Sequence, residues 1–385
     1  MIPYGRQDIS DADVEAVVDV LRSDFLTQGP AVPAFEQAVA AYCGAAHAVA
    51  VNSATSALHI ACLALGVGPG DLVWTSPITF VASSNCALYC GADVDFVDVE
   101  PGTANMSVAA LEAKLREAAA AGRLPKVVIP VHLAGTSCDM AAIGRLAHDY
   151  GFAVVEDASH AIGARYRDRP VGACEHSAIA VFSFHPVKII TTGEGGLATT
   201  NDPALAQRME LLRSHGITRD PRLMSGEPDG PWYYEQVALG FNYRMTDLQA
   251  ALGTSQMARL DAFVARRHEI AAWYDEHLAG MPLDLPLRPD DTYSALHLYV
   301  VQLRLDQIGR SHREVFEALR ADGIGVNLHY IPVHLQPYYA QLGFASGLCP
   351  EAERYYGRAI TIPLHPGLDE ADLEAVRSAL ADACA

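Results

Sequence analysis

Hydrophobic residues along this chain recur in two rhythms. Short apolar runs lie at Ala48 to Val51, Leu72 to Trp74, Val94 to Val97, Val127 to Val131, Ala153 to Val155, Ala178 to Phe184 and Gly196 to Thr199. They are too short for helices and are bounded by turn-forming residues, so each reads as a strand. Around them, apolar positions three and four apart predict helices at Pro33 to Cys43, Ser56 to Leu65, Ser107 to Ala121, Met140 to Tyr150 and Ala204 to Ser214. Strands that alternate with helices predict an α/β fold on a mainly parallel seven-stranded sheet, because parallel neighbours need a crossover between them.

After residue 246 the rhythm changes. A long helical pattern covers Asp247 to Leu278, followed by strand-like runs at Leu296 to Leu303, Gly325 to Tyr330 and Ile360 to Ile362 and helical stretches at Ser311 to Ala321 and Glu370 to Ala383. We therefore divide the chain into an N-terminal arm (1–30), a large domain (31–250), and the long helix with a smaller C-terminal α+β domain (251–385). Gly216 to Arg244 is rich in Gly, Pro, Arg and aromatics and longer than most connections. It is expected to be an ordered, functional loop.

Composition narrows the function. With 385 residues, half of them hydrophobic, the chain exceeds what one core usually organises, and it is long enough for an enzyme. The formal net charge of −19, with no basic run, argues against a nucleic-acid partner. The eight cysteines form no CxxC pair and no disulfide framework, which suits a reducing compartment. The opening MIPYGRQDISDAD has no leader pattern, and no uncharged apolar run is long enough for a membrane span. A cytoplasmic, soluble protein with no membrane partner is the expectation.

Among 27 basic residues only Lys114, Lys126 and Lys188 are lysine. Arginine serves for surface charge but does not deprotonate to a nucleophilic amine, so each surviving lysine invites a reason. Lys114 lies in the charged stretch LEAKLREA and Lys126 follows Pro125, both ordinary surface settings. From Ser177 to Thr192, by contrast, Lys188 is the only formally charged residue. An ammonium there is costly unless its pKa falls, although a lysine reaching out from a strand end to water reads the same way.

Three stretches add possible chemistry. Val51 to Leu58 (VNSATSAL) joins a strand to a helix, and its hydroxyls and free N–H groups suit a phosphate, though it also reads as a plain helix cap. Val154 to His160 (VVEDASH) ends an apolar strand with two carboxylates, where α/β proteins bind ligands. Asp157 there could keep a pyridine nitrogen protonated; it could equally cap the next helix or bind a metal. The dispersed histidines, of which the nearest pair, His329 and His334, flanks Pro332, give a metal no support, so no metal ligands are assigned. Finally, Phe182 to Gly196 (FSFHPVKIITTGEGG) sets Ser183 five residues before Lys188 and a glycine-rich turn after it. A phosphate anchor, a carboxylate, then a hydroxyl and an amine, in that chain order, match pyridoxal phosphate (PLP) rather than a dinucleotide, whose GxGxxG fingerprint is absent.

With these residues in view, the chain resembles, over nearly its whole length, the fold-type I PLP-dependent sugar aminotransferases of the DegT/DnrJ/EryC1/StrS group. The motifs that carry the resemblance are TQGP (27–30), NSATSALHIA, SPITFVAS, EDASHAIGA, FSFHPVKIITTGEGG and GFNYRMTD (240–247). Within that group IPYGRQDIS, SHGITRDP and GVNLHYIPVHLQPYY look most like the UDP-4-amino-4,6-dideoxy-N-acetyl-β-L-altrosamine transaminases of pseudaminic acid biosynthesis. The resemblance implies that Lys188 forms the Schiff base and shuttles the proton, and that Asp157 pairs with the pyridine nitrogen. It implies that Phe80 stacks on the ring, that His160 lies near the ring hydroxyl, and that Ala54, Thr55 and Ser183 hold the phosphate. Asn242 is similar to the residue that reaches the phosphate from a partner subunit, which implies a homodimer with shared sites. His329, Tyr330 and Arg244 fall where the nucleotide sugar is contacted. The implied reaction moves an amino group from L-glutamate to C4 of a UDP-linked 4-keto-6-deoxy-N-acetylhexosamine. Its rivals are C3 or C4 amination of a dTDP or GDP sugar, and a PLP-binding regulator without turnover.

Overall fold

All seven apolar runs become strands of one sheet in the computed structural model, which describes residues Met1–Ala385. Across the sheet the order is His47–Val51, Gly196–Thr200, Ile179–Ser183, Ala153–Asp157, Val127–Ile129, Leu72–Thr75 and Asp93–Phe96. Pairing is parallel from Asp93–Phe96 through to Ile179–Ser183 and antiparallel on both sides of Gly196–Thr200. The reversal follows from the connection. No helix separates Ser183 from Gly196, so the chain turns back on itself instead of crossing over. The turn leaves the Lys188 loop at the carboxyl ends of the parallel strands.

Alternate strand residues enter different cores: Val127 and Ile129 join one apolar cluster and Val128 another, as Val49 and Val51 part from Ala50. The sheet is thus buried on both faces, which is why its strands read as continuous apolar runs. The helix Ala54–Ala64 lies deepest, with eight of its residues buried. A further core joins the helices Leu260–His277, His312–Ala321 and Glu370–Cys384 to an antiparallel sheet ordered Leu283–Asp284, Tyr299–Leu303, Ala359–Ile362.

Three expectations are corrected, and one helix is added. Residues 1–30 are more than an arm, for they contain the helix Asp11–Leu21, closed by a capping box between Ser10 and Asp13. Asp13 is fully buried and accepts from Ser255 Oγ (2.6 Å), Gln256 Nε2 (2.8 Å) and Arg259 Nη2 (2.6 Å), which ties this helix to the chain around residue 257. The long helix is two, Asp247–Met257 and Leu260–His277. At the break Arg259 leaves helical geometry (φ −109°) and its guanidinium bridges Asp8 and Asp13. Gly325 to Tyr330 is not a strand. Only Asn327 pairs across, in an isolated bridge to Thr361, and the side chains of Asn327, His329 and Tyr330 line the cleft described below. The helix Ala82–Tyr89, which begins inside SPITFVAS, was not anticipated.

Two distant motifs meet in the fold. Asp247 accepts from the N–H groups of Gly29 (2.7 Å) and Val32 (3.2 Å), so MTD fixes TQGP at the start of the helix Ala31–Cys43. A Cβ on Gly29 would stand 2.1 Å from Asp247 Oδ2, which only glycine avoids. The segment Gly216 to Arg244 holds the paired strands Ile217–Thr218 and Glu235–Gln236 and leaves Trp232 and Leu239 exposed. No helix is long and apolar enough to cross a membrane.

Candidate active site

A cleft of about 720 Å³ opens at the carboxyl ends of the parallel strands, faced from the other side by Tyr4, His297 and the Asn327–Tyr330 segment. Ligands bind at this end of open α/β sheets because the strand-to-helix loops converge there. The cleft brings together Ala54, Thr55, Phe80, Asp157, His160, Ser183, Lys188, His329 and Tyr330. It does not include Asn242 or Arg244 of the same chain. Asn242 is exposed and pairs with Ser214 through its backbone, while Arg244 donates to Ser214 Oγ (3.1 Å).

At the head of the Ala54–Ala64 helix the Ser53 hydroxyl accepts from Ser56 N–H (3.1 Å), and Ser56 Oγ donates to Asn52 Oδ1 (2.7 Å). Those two hydroxyls are committed to the turn. The N–H groups of Ala54 and Thr55 find no acceptor in the chain and face the cleft. Gly196 makes this possible, since a Cβ there would lie 2.4 Å from Ala54 N. Gly196 also pairs with Ser183, so Ala54 and Ser183 flank one glycine, and together with Thr55 they line a corner at a helix N-terminus whose free N–H donors suit an anion.

Asp157 ends its strand 5% exposed. Its Oδ1 accepts from Ser159 N–H (3.1 Å) and its Oδ2 from Ser83 Oγ (2.5 Å), which fixes the plane of the carboxylate. Lys188 sits on a loop closed by bonds from Phe184 N–H to Gly195 O and from Thr192 N–H to Phe184 O, each 2.9 Å. Half-buried at the cleft wall, its amine has no hydrogen-bond partner in the chain. Dense surrounding protein lowers its pKa to about 8, and the charge of Asp157 opposes part of that shift.

The opposite wall, with His160 meeting it from the loop after Asp157, is polar but uncharged. His160 Nδ1 accepts the Ala134 N–H (3.2 Å), which leaves the ring proton on Nε2, 3.2 Å from Tyr330 Oη. Burial first and the Lys188 charge second hold His160 well below the ordinary imidazole range, and the same pair of causes brings His329 down to about 3. His297, packed 4.4 Å from the His160 ring with its Nδ1 unpartnered, is likewise held neutral by burial and by His160. Burial pushes the Tyr330 hydroxyl up, so it stays protonated. Sequence reasoning missed Tyr4, Ser83, Asn327 and His297 as parts of this region. The first three stand inside motifs already singled out, whereas His297 carries no local signal.

The chain matches the DegT/DnrJ/EryC1/StrS aminotransferase family over residues 7–381. It belongs to that family. It is 40% identical over 386 aligned residues to the spore coat polysaccharide biosynthesis protein SpsC of Bacillus subtilis, which covers 99% of this chain and 96% of that one. Among solved structures it is similar to Helicobacter pylori PseC, an aminotransferase involved in the biosynthesis of pseudoaminic acid. That match has a TM-score of 0.91 at 30% identity and covers 100% of this chain and 99% of the other. Spr1654 of Streptococcus pneumoniae in its PMP form gives 0.90 at 30% identity, with 100% and 99% covered. The fold is therefore the type I fold of PLP-dependent transferases, and the protein is a PLP-dependent sugar aminotransferase.

The residues of the cleft fit the cofactor. A lone amine of lowered pKa, an oriented carboxylate and an anion corner with unused N–H donors are the groups an aldehyde, a pyridine nitrogen and a phosphate require. When bound, PLP supplies the electron sink that stores an amino group between two half-reactions.

Proposed function

We propose that this enzyme transfers the amino group of L-glutamate to C4 of UDP-2-acetamido-2,6-dideoxy-β-L-arabino-hex-4-ulose, a UDP-linked 4-keto-6-deoxy-N-acetylhexosamine, on the route to pseudaminic acid. The observation that carries this reading is the facing of two walls across one cleft: a charged wall with Lys188 and Asp157, and a neutral, hydrogen-bonding wall with His329 and Tyr330. Likeness to PseC and the motif GVNLHYIPVHLQPYY support the choice of sugar.

Each residue then has a task. Lys188 Nζ, with a pKa near 8, holds and returns the proton moved between the amino-bearing carbon and sugar C4. Asp157 faces the ring nitrogen and keeps its proton in place. Ala54, Thr55 and Ser183 would hold the phosphate, the exposed ring of Phe80 would stack on the cofactor ring, and His160 would lie near its hydroxyl. His329 and Tyr330 receive the nucleotide sugar. Neutral donors suit it, because a charged wall would bind the diphosphate whatever the sugar.

A homodimer with shared sites is part of the same reading. Asn242 and Arg244 lie outside their own chain's cleft, and the loop that carries them exposes Trp232 (71%) and Leu239 (81%). In this proposal Asn242 reaches the partner's phosphate corner and Arg244 the partner's nucleotide sugar. Eight free, buried cysteines support a cytoplasmic setting.

The deciding experiment incubates the enzyme and glutamate with a panel of keto-sugar nucleotides and reads the products by mass spectrometry. Amination of the 4-keto UDP sugar, with its C5 epimer a poor substrate, is the expected result. Equal rates with both epimers, or activity only on a 3-keto, dTDP or GDP sugar, would move the assignment to another member of the family.

A further inference from the structure

Behind the carboxylate of Asp157 lies a row of hydroxyls that the functions above leave unused. Ser83 Oγ stands 2.5 Å from Asp157 Oδ2, and Thr79 Oγ1 stands 2.6 Å from Ser83 Oγ. The exposures of Thr79, Ser83 and Asp157 are 2%, 1% and 5%, so little water competes for these bonds. An ionised carboxylate only accepts, which commits the Ser83 proton to Asp157. Thr79 must then be the donor to Ser83. The one rival acceptor for Ser83, the Phe80 carbonyl, is at 3.3 Å and loses to the shorter, charge-assisted bond. Donation therefore runs in one direction, Thr79 to Ser83 to Asp157. Ser159 N–H holds the second oxygen, and the carboxylate is clamped at both ends.

We infer that Ser83 is a positioning residue for the reaction, with Thr79 behind it, because their hydroxyls fix which lone pairs of Asp157 face the cleft. The inference rests on the reading that Asp157 meets the ring nitrogen of the cofactor. A carboxylate held from one side only can rotate, and a hydrogen bond to that nitrogen then varies in length and angle. The SPITFVAS motif gains a task from this. Its helix, Ala82–Tyr89, begins where it does so that Ser83 sits in the first turn, beneath the carboxylate.

The test uses the holoenzyme with Ser83→Ala, Thr79→Val and Thr79→Ser, and Asp157→Asn as reference. Ser83→Ala should lower kcat about tenfold, a factor equal to about 1.4 kcal/mol, with KM values within about twofold. It should also change the visible circular dichroism of the bound cofactor while leaving PLP bound. Thr79→Val should act in the same direction by about threefold, while Thr79→Ser, which keeps the hydroxyl, stays at the wild-type level. A role confined to stability would shift the melting temperature and leave the dichroism and the kcat-to-KM split alone. Wild-type kcat and dichroism in both Ser83→Ala and Thr79→Val, beside a strongly impaired Asp157→Asn, would overturn the inference. A silent Asp157→Asn would instead bring down the reading of Asp157 beneath it.

Discussion

The sheet-side wall of the cleft collects Ala54, Asp157, Ser183 and Lys188 from strand ends of a single sheet, whereas the facing wall draws Tyr4, His297 and the Asn327–Tyr330 segment from three stretches far apart in the chain. The first wall carries the formal charges and, apart from the bond that Ser83 gives Asp157, is held by bonds within a few residues or across adjacent strands. The second is neutral, and long-range contacts place it: Leu364 N–H donates to Tyr4 O at 3.0 Å, His329 Nδ1 meets Thr361 Oγ1 at 2.8 Å, and Tyr355 Oη donates to His329 O at 2.9 Å. Chemistry common to the family needs the same few atoms in fixed places, and a sheet edge supplies them. Choice among sugars needs a wall whose shape can change without disturbing that chemistry. In the proposed reading, the hydrogen-bonding groups of the facing wall answer that need.

If the charged wall carries the reaction, its loss should be the most severe change available. Lys188→Ala is expected to lower turnover on the order of a thousandfold or more. Borohydride treatment of the wild type should fix the cofactor to a peptide containing Lys188, and finding it on Lys114 or Lys126 would refute the division of roles. Next comes Asp157→Asn, which should keep PLP bound yet cost about 3 kcal/mol of transition-state stabilisation, more than a hundredfold in kcat; near wild-type turnover would remove Asp157 from that wall's chemistry.

The pH dependence of cofactor uptake sharpens the same point. Because the folded-state pKa of Lys188 is lowered from 10.5 to about 8, its neutral fraction climbs with pH and saturates above about 8. Uptake of PLP by the apoenzyme, followed by absorbance, should rise about a hundredfold from pH 6 to 9 and then level off. Continued rise to pH 10.5 would place the amine in ordinary solvent.

On the neutral wall, His329→Ala should raise KM for the sugar about tenfold while the glutamate half-reaction, measured alone as release of the keto acid, stays within about twofold. Equal damage to both half-reactions would erase the distinction between the walls. The smallest signal is complementation: mixing Lys188→Ala with Asn242→Ala chains should restore a minor share of activity, since one site of each mixed dimer would have both residues intact. Mixed dimers without recovered activity would show that Asn242 does not act across an interface.

The local part of this architecture was readable early. Strands buried on both faces announce themselves as apolar runs, and Lys188 stood out because arginine fills almost every other cationic position. Elements held by polar bonds were not readable in that way. The helix Asp11–Leu21 has an apolar stripe at Val14, Val17, Val18 and Leu21, but Val14 and Leu21 stay exposed and only Asp13 is buried, held by a carboxylate–arginine network to residues 255–259. The same network interrupts the helical pattern of Asp247 to Leu278 at a point where side-chain hydrophobicity shows no change.

By itself, the sequence determined the strands of the main sheet and singled out Lys188, Asp157 and the turn before Ala54 as candidates, because each signal lies within a few residues or in a continuous buried run. Only the tertiary structure decided that Ser83 lies under Asp157, 74 positions later in the chain, and that His297 packs against His160. It likewise turned Gly325 to Tyr330 from an apparent strand into a cleft wall, since a strand exists only where a partner offers its N–H and C=O groups, and beyond Asn327 none does.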